Sequence, residues 1–323
     1  MRLGFSLGTL LTHGEVIHCA EMADKTGAES IWIPESWARD AFVTLGRISA
    51  VTEHTRLGTG IVSIYSRSPA AIAMAAATLD LMCNGRAFIG LGASSKVLVE
   101  NWHGEKFSNH ITRMKEYVES IRAIVKGEKV NYDGRIVKVR NFKLGFKPHN
   151  TNIPIYVAAT NERMVNLSTE VGDGTVLFLR PLDELKHTVT KLKKITYNRN
   201  FDIICIIMTA VAKERELARE RIRKTLAFYM AVGSIYSEFL SASGFRNEIA
   251  QIVESYNKDG LMNIHKLIPD KMLDALTIAG EPEECRKKLG KFLETGISLP
   301  VIQFNPVNQA ESSFKEVIAT FLE

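Results

Sequence analysis

An alternation of strand and helix patterns runs through the whole sequence, and it constrains the fold more than any other feature. Eight apolar segments are predicted to be strands: 2–6, 30–35, 56–63, 86–93, 153–160, 174–180, 201–212 and 299–306. Strands joined through helices pair in parallel, with right-handed crossovers. Strands this apolar need cover on both faces. The pattern predicts an α/β fold, a (β/α)8 TIM barrel, and a doubly wound open sheet is the alternative.

Two segments interrupt this alternation and are interpreted as insertions into a single barrel domain spanning residues 1–323. Residues 129–146 alternate polar and apolar side chains around Asp133 and Gly134, which is typical of a β-hairpin. Residues 233–278 carry only short helical patterns, so we expect a helical excursion before the last strand. A length of 323 residues is normal for one barrel with insertions.

Composition argues against several classes of protein. The 41 Lys and Arg residues and the 36 Asp and Glu residues are spread along the chain, which disfavours nucleic-acid binding. Cys19, Cys83, Cys205 and Cys285 are far apart and match no metal-ligand spacing, so we expect reduced thiols, a cytoplasmic protein and no metal site. The apolar runs are too short for a membrane span.

In a (β/α)8 barrel the functional groups follow the carboxyl ends of the strands. The sequence has no GxSxG elbow, Walker loop, HExxH or conventional GxGxxG motif there. The strand ends carry small residues, hydroxyls, aromatic rings and basic groups, which suit a flat, phosphate-bearing cofactor and a small-molecule substrate better than hydrolysis. These candidates are Glu35, Ser36, Trp37, Ser63, Tyr65, Arg67, Gly90, Gly92, Ala93, Ser94, Ser95, Lys96, Trp102, His103, Ala158, Ala159, Thr160, Asn161, Arg163, Arg180, Gln303, Asn305 and Pro306.

Several of these candidates also have a purely structural interpretation. Glu35 is a catalytic acid or a loop carboxylate that caps a nearby N–H group, and Trp37 lines either a ligand pocket or the core. His103 contacts ligand or satisfies a turn. Thr160 or Asn161 would cap the next helix, whose first-turn N–H groups form an anion site.

Four stretches together resemble the bacterial luciferase-like superfamily. They are SIWIPESW at 30–37, TRLGTGIVSIYSRSPAAIAMAAATLDLMCNGRAFIGLGAS at 55–94, WHG at 102–104 and IPIYVAAT at 153–160. The match is most similar to the F420-dependent oxidoreductases, including methylene-tetrahydromethanopterin reductases. The resemblance implies a barrel that holds coenzyme F420 at its mouth, hydride transfer to or from an organic substrate, and a homo-oligomer, either a dimer or a tetramer.

The same resemblance assigns roles to individual positions. It implies a bulge in strand three, often with a non-prolyl cis peptide, at Gly60–Ile61 or Ile61–Val62, pressing on the back of the cofactor ring. The glycines of GTGIVSIYSRSP (58–69) then mark where backbone approaches that ring, since a side chain at Gly60 would occupy its space. The remaining roles concern the cofactor tail, the ring and the proton. By the resemblance, Gly92, Ala93, Ser94, Ala158, Ala159, Thr160 and Asn161 would line the phosphate and tail, and Glu35, Trp37 and Tyr65 would lie near the ring or substrate. Arg163, at the start of the next helix, either adds charge at the anion site or is solvated. As our own hypothesis, Glu35 or His103 handles a proton.

One position departs from the family pattern. Methylene-tetrahydromethanopterin reductases carry an acidic residue at the end of strand one, where this chain has Ser6. If that carboxylate is needed to protonate a folate-like substrate, this chain either lacks that activity or uses Glu35 instead. Two other functions stay open: an FMN-dependent luciferase-like monooxygenase, and a cofactor-free partner subunit, against which the intact GLGAS and AATN segments argue.

Overall fold

The computed structural model describes residues 1–35 and 37–323, so the candidate Ser36 lies outside the described residues. The strands in chain order are β1 Gly4–Ser6, β2 Ser30–Ile33, β3 Arg56–Thr59, β4 Val62–Ser63, β5 Ala87–Gly92, β6 Val130–Asp133, β7 Lys138–Phe142, β8 Ile155–Ala158, β9 Gly174–Phe178, β10 Asp202–Val211, β11 Ile278–Gly280 and β12 Leu299–Phe304. Neighbouring strands run β10, β12, β1, β2, β3, β5, β8 and β9, and β9 pairs again with β10. The predicted (β/α)8 barrel is confirmed, and the open-sheet alternative is wrong.

Helices follow the strands, as the alternation predicts. They are α1 His13–Lys25, α2 Ala41–Ser49, α3 Pro69–Met82, α4 Lys96–Trp102, α5 His110–Val125, α6 Glu162–Val171, α7 Leu182–Ile195, α8 Arg215–Val232, α9 Ser234–Leu240, α10 Arg246–Asp259, α11 Asp270–Leu276, α12 Pro282–Glu294 and α13 Ala310–Phe321. Local sequence sets where they begin. At α3, the Ser68 hydroxyl accepts the Ala71 N–H and Pro69 takes the first position, where its missing N–H costs nothing.

The described residues group into two compact units. The first comprises Gly4–Val176 and Asn198–Asp202, and the second comprises Met1–Leu3, Leu177–Tyr197 and Ile203–Glu323. The predicted single domain over residues 1–323 stays a prediction.

The first unit contains the predicted hairpin, formed by β6 and β7 as an antiparallel pair. Glu116 of α5 fixes its turn by accepting the N–H groups of Arg135, Ile136 and Val137 at 2.7, 2.8 and 2.7 Å. Burial alone would raise the pKa of Glu116, but the three donors outweigh it and hold that pKa below its ordinary value. The insertion is therefore anchored to the helix beside it.

The second unit contains the predicted excursion. The helices α8 to α11 bury a shared apolar core, with Leu226, Met230, Leu240 and Ile252 among its members. A short strand that the sequence did not reveal, β11, pairs with β10 where the excursion ends. A strand of three residues is too short to show an alternating pattern in the sequence. In the same way, the seven residues of α4 were too few to reveal a helix.

Strand three is broken by a bulge in the first unit, as the resemblance predicts. The single predicted strand 56–63 is instead two: β3 pairs with β5 up to Gly58 opposite Phe88, and β4 resumes with Val62 opposite Leu91. The bulged side advances four residues against three on β5, so it carries one extra residue. The Gly60–Ile61 bond is cis, which confirms the predicted bond.

The hydroxyl of Thr59 replaces the ladder bonds that the bulge interrupts. It donates to the Gly90 carbonyl at 2.8 Å and accepts the Gly90 N–H at 2.9 Å. Thr59 is fully buried, so water cannot serve these two backbone groups. One side chain thus satisfies both polar groups of the facing residue.

The glycines beside the bulge are required by packing. A Cβ atom on Gly58 would collide with the Phe88 ring, and one on Gly60 would lie 2.9 Å from the Cβ of Trp32, which is fully buried. The explanation that a side chain at Gly60 would fill the space of a flat ring is therefore wrong. It would enter the space of Trp32 instead.

We predict that Thr59→Val destabilises the protein by about 2 kcal/mol, because it keeps the side-chain shape but strands two buried polar groups. Urea denaturation monitored by circular dichroism measures this change. The control is Thr190→Val, since the Thr190 hydroxyl donates to the Lys186 carbonyl at an exposed position. That control should stay within about 0.5 kcal/mol of wild type. Equal losses in the two variants would contradict the bridging role of Thr59.

Candidate functional site

The side chain of Ile61 lies across the glycines of β5. A Cβ atom on Gly90 would be 3.1 Å from Ile61 Cγ2, and one on Gly92 would be 2.8 Å from Ile61 Cγ1 and 3.6 Å from the Ala158 Cβ. Ile61 is partly exposed, whereas both glycines are buried. The predicted cofactor residues Ile61, Gly92 and Ala158 therefore lie together. We call this apolar surface of Ile61, Gly90, Gly92 and Ala158 the Ile61 floor.

Main-chain hydrogen bonds hold the bulge on both sides. The Gly60 N–H donates to the Ile33 carbonyl at 2.8 Å, and the Glu35 N–H donates to the Ile61 carbonyl at 3.2 Å. On the other side, the Ile64 N–H donates to the Gly92 carbonyl at 3.0 Å. The position of the Ile61 floor is thus fixed by its two neighbouring strands before any ligand arrives.

Glu35 is engaged through both carboxylate oxygens. Oε2 accepts the Ala41 N–H at the start of α2 at 2.9 Å, and Oε1 forms an ion pair with Arg67. Arg67 also pairs with Asp40, whose carboxylate caps α2. These contacts agree with the interpretation that Glu35 caps a nearby N–H group. A catalytic role for Glu35 stays a prediction. Arg67, which the sequence placed only by its position after strand three, links the two carboxylates.

Two half-exposed indole rings form an aromatic wall. Trp37 and Trp102 are 50% and 51% exposed, and their rings meet edge to face with centroids 6.0 Å apart. Contiguous exposed apolar groups, such as these two touching rings, are common at ligand or partner surfaces. His103, the other predicted catalytic residue, is exposed at the end of α4, next to this wall.

Tyr65 is buried in a separate cluster. Its hydroxyl donates to the Ser108 carbonyl at 2.8 Å, and its ring lies 5.5 Å from the Phe107 ring and 4.4 Å from the Arg113 guanidinium. Burial raises the pKa of Tyr65 above its ordinary value. These contacts use the ring and the hydroxyl to secure the loop before α5, and the predicted contact between Tyr65 and cofactor stays a prediction.

The segment after β8 begins α6 as the sequence predicts. Of the two predicted caps it is Asn161 that acts, since its Oδ1 accepts the Met164 N–H at 3.0 Å. Asn161 and Arg163 are exposed, Thr160 is half-buried and Ala159 is buried. The start of α6 therefore presents a partial positive charge and an arginine to solvent.

The segment after β5 turns sharply away from the strand. Ser94 adopts a left-handed conformation with φ of 63°, and the Ser95 hydroxyl accepts the Leu98 N–H at the start of α4. Ala93 and Ser94 are half-buried. The predicted residues Gly92, Ala93 and Ser94 thus lead from the Ile61 floor toward the aromatic wall, because α4 ends at Trp102.

Comparisons with known proteins extend over nearly the whole chain. A family model described as luciferase-like monooxygenase matches residues 4–299. Over 318 residues the chain is 29% identical to 5,10-methylenetetrahydromethanopterin reductase from Archaeoglobus fulgidus, covering 95% of this chain and 94% of that protein.

Two solved structures share the fold. The coenzyme F420-dependent tetrahydromethanopterin reductase from Methanopyrus kandleri has a TM-score of 0.87 at 22% identity, covering 98% of this chain and 96% of the other. An F420-dependent secondary alcohol dehydrogenase in complex with an F420–acetone adduct has a TM-score of 0.80 at 20% identity, covering 99% and 98%. The predicted resemblance is confirmed, and the chain belongs to the luciferase-like monooxygenase family.

Proposed function

We propose that this protein is an F420-dependent oxidoreductase that transfers a hydride between the deazaflavin and an organic substrate. The Ile61 floor carries the proposal, because a rigid, partly exposed apolar surface suits one face of a flat ring. The similar proteins support the choice of cofactor, since their names describe F420-dependent or tetrahydromethanopterin enzymes. FMN has weaker support and is the alternative.

The residues of the first unit fit such a cofactor. Ile61 and Ala158 would contact the ring, while Arg163 and the N–H groups at the start of α6 would hold the phosphate. Trp37 would cover an edge of the ring or substrate. When bound, coenzyme F420 supplies a deazaflavin that gives or accepts a hydride, so the chain itself need only bind, orient and exclude water.

For the substrate we propose a pterin of the methylene-tetrahydromethanopterin type, on the strength of the Archaeoglobus fulgidus relative. Ser6, at the end of β1, is buried, and its hydroxyl stands where the family pattern has a carboxylate. Proton transfer to such a substrate would then need Glu35, after release of Arg67 or Ala41, or the exposed His103.

The purified protein should bind F420 at least about tenfold more tightly than FMN, because the proposed site belongs to a deazaflavin. Cofactor fluorescence during titration measures both affinities.

In the same titration Arg163→Glu should weaken F420 binding by about tenfold, because it places a negative charge beside the phosphate. Arg246→Glu, at an exposed position of α10, is the matched control. Tight FMN binding without F420 binding would refute the proposal.

We also propose a homodimer formed through α2 and α3. The outer face of α3 exposes Met74, Leu81 and Met82, and α2 adds Val43, which is 72% exposed. The one charged residue of α3, Asp80, is fully buried, so this outer face carries no charge. An apolar face such as that of α3 pairs readily with its own copy about a twofold axis, and α2 adds the exposed Arg47 as well as Val43.

Met74→Glu should convert the dimer to a monomer, because two carboxylates would face each other across the twofold axis. Light scattering coupled to size-exclusion chromatography gives the mass. Leu217→Glu is the matched control, since Leu217 is 45% exposed and Met74 is 44% exposed. A wild-type monomer, or a variant that remains dimeric, would contradict this interface.

A cytoplasmic location is also proposed. All four cysteines are buried thiols, as in proteins kept in a reducing compartment. Among the described residues, no helix has both the length and the apolar character needed to cross a bilayer.

A further inference from the structure

Three aromatic rings of the second unit meet where β9 ends. Phe178, the last residue of β9, has its ring 5.2 Å from that of Tyr229 and 5.5 Å from that of Tyr236, and the two tyrosine rings are 5.8 Å apart. Tyr229 belongs to α8 and Tyr236 to α9, so the excursion supplies two of the three rings. Each of the three residues is only partly buried. We call these residues the aromatic trio.

The amide of Gln303, near the end of β12, lies beside Tyr229 of the aromatic trio. Burial raises the pKa of Tyr229 above its ordinary value, and a hydrogen bond with the Gln303 side chain offsets part of that rise. Its Oε1 atom is buried and has no hydrogen-bond partner within residues 1–35 and 37–323. Native proteins rarely leave a buried acceptor without a donor, so this oxygen is available to a donor from outside the chain.

The end of β12 is tied to the helix that carries Tyr229. Asn305, which is almost fully buried, donates from Nδ2 to the Gln303 carbonyl at 2.8 Å. Its Oδ1 accepts the hydroxyl of Thr225 in α8 at 2.9 Å. This bridge fixes Gln303 relative to Tyr229, as expected for a binding site arranged before its ligand arrives.

We propose that the aromatic trio and Gln303 form the subsite for the ring of the substrate. The trio would pack against a planar heterocycle, and Gln303 Oε1 would accept an N–H of that ring or of its exocyclic amine. β9 and β12 both end at the carboxyl edge of the parallel sheet, where ligands of this fold bind. The inference rests on the proposed function and assigns these residues to the ring of the pterin proposed there, since a simple alcohol has no N–H to donate to Gln303.

Isothermal titration calorimetry with tetrahydromethanopterin, with and without F420, tests this assignment without relying on turnover. Gln303→Met keeps the side-chain length and removes the acceptor, so pterin affinity should fall by roughly 10- to 100-fold. F420 affinity should change by less than about twofold, because Gln303 is assigned to the substrate. Gln251→Met, the same change at an exposed position of α10, should bind pterin like the wild type.

Phe178→Leu tests the role of the aromatic trio independently. It also provides a second test if Gln303→Met does not fold. It should also weaken pterin binding, because leucine is smaller and lacks the ring face. Unchanged pterin affinity in the folded variants overturns the inference, and so does a wild-type chain that binds no pterin. If the wild-type chain binds F420 and oxidises 2-propanol but does not bind pterin, the substrate subsite is overturned while the proposed F420-dependent function stands. Absence of F420 binding refutes the proposed function, and calorimetry on the cofactor-free chain then still decides the pterin subsite.

Discussion

The pair of hydrogen bonds between the Thr59 hydroxyl and the backbone of Gly90 is the interaction on which the site depends. An extra residue in strand three would otherwise leave two polar groups of β5 buried without partners. With them satisfied, the bulge is compatible with a closed barrel. The bulge then directs Ile61 across β5, and the space it occupies explains why residue 92 is a glycine, while the Thr59 carbonyl oxygen leaves no room for a side chain at Gly90.

Residues around the bulge also help to hold Ile61 in place. The backbone of Glu35 holds Ile61, while its carboxylate holds the start of α2 and pairs with Arg67. Glu35, a single loop residue, therefore connects the Ile61 floor to α2. Elsewhere in the first unit, Trp37 and Trp102 are half exposed and α6 presents its positive end. We propose that these features form a binding surface in which the chain orients a cofactor and leaves the electron chemistry to it.

The sequence predicted those parts of the molecule that depend on local pattern. The eight barrel strands, the hairpin and the start of α6 followed from periodicity, turn residues and capping side chains. The bulge and its cis bond came from the resemblance, on the glycines of strand three. The reason for Gly60 was wrong because its neighbour, Trp32, is brought close only by the pairing of β2 with β3. The partner of Glu35 was missed because Arg67 lies 32 residues away in sequence.

We propose that the cofactor ring rests on the Ile61 floor, and a crystal structure of this protein with bound F420 decides whether it does. We expect the deazaflavin to contact Ile61 and Ala158, with its phosphate near Asn161 and Arg163. A deazaflavin bound away from Ile61, with Gly92 and Ala158 untouched, would contradict the claim.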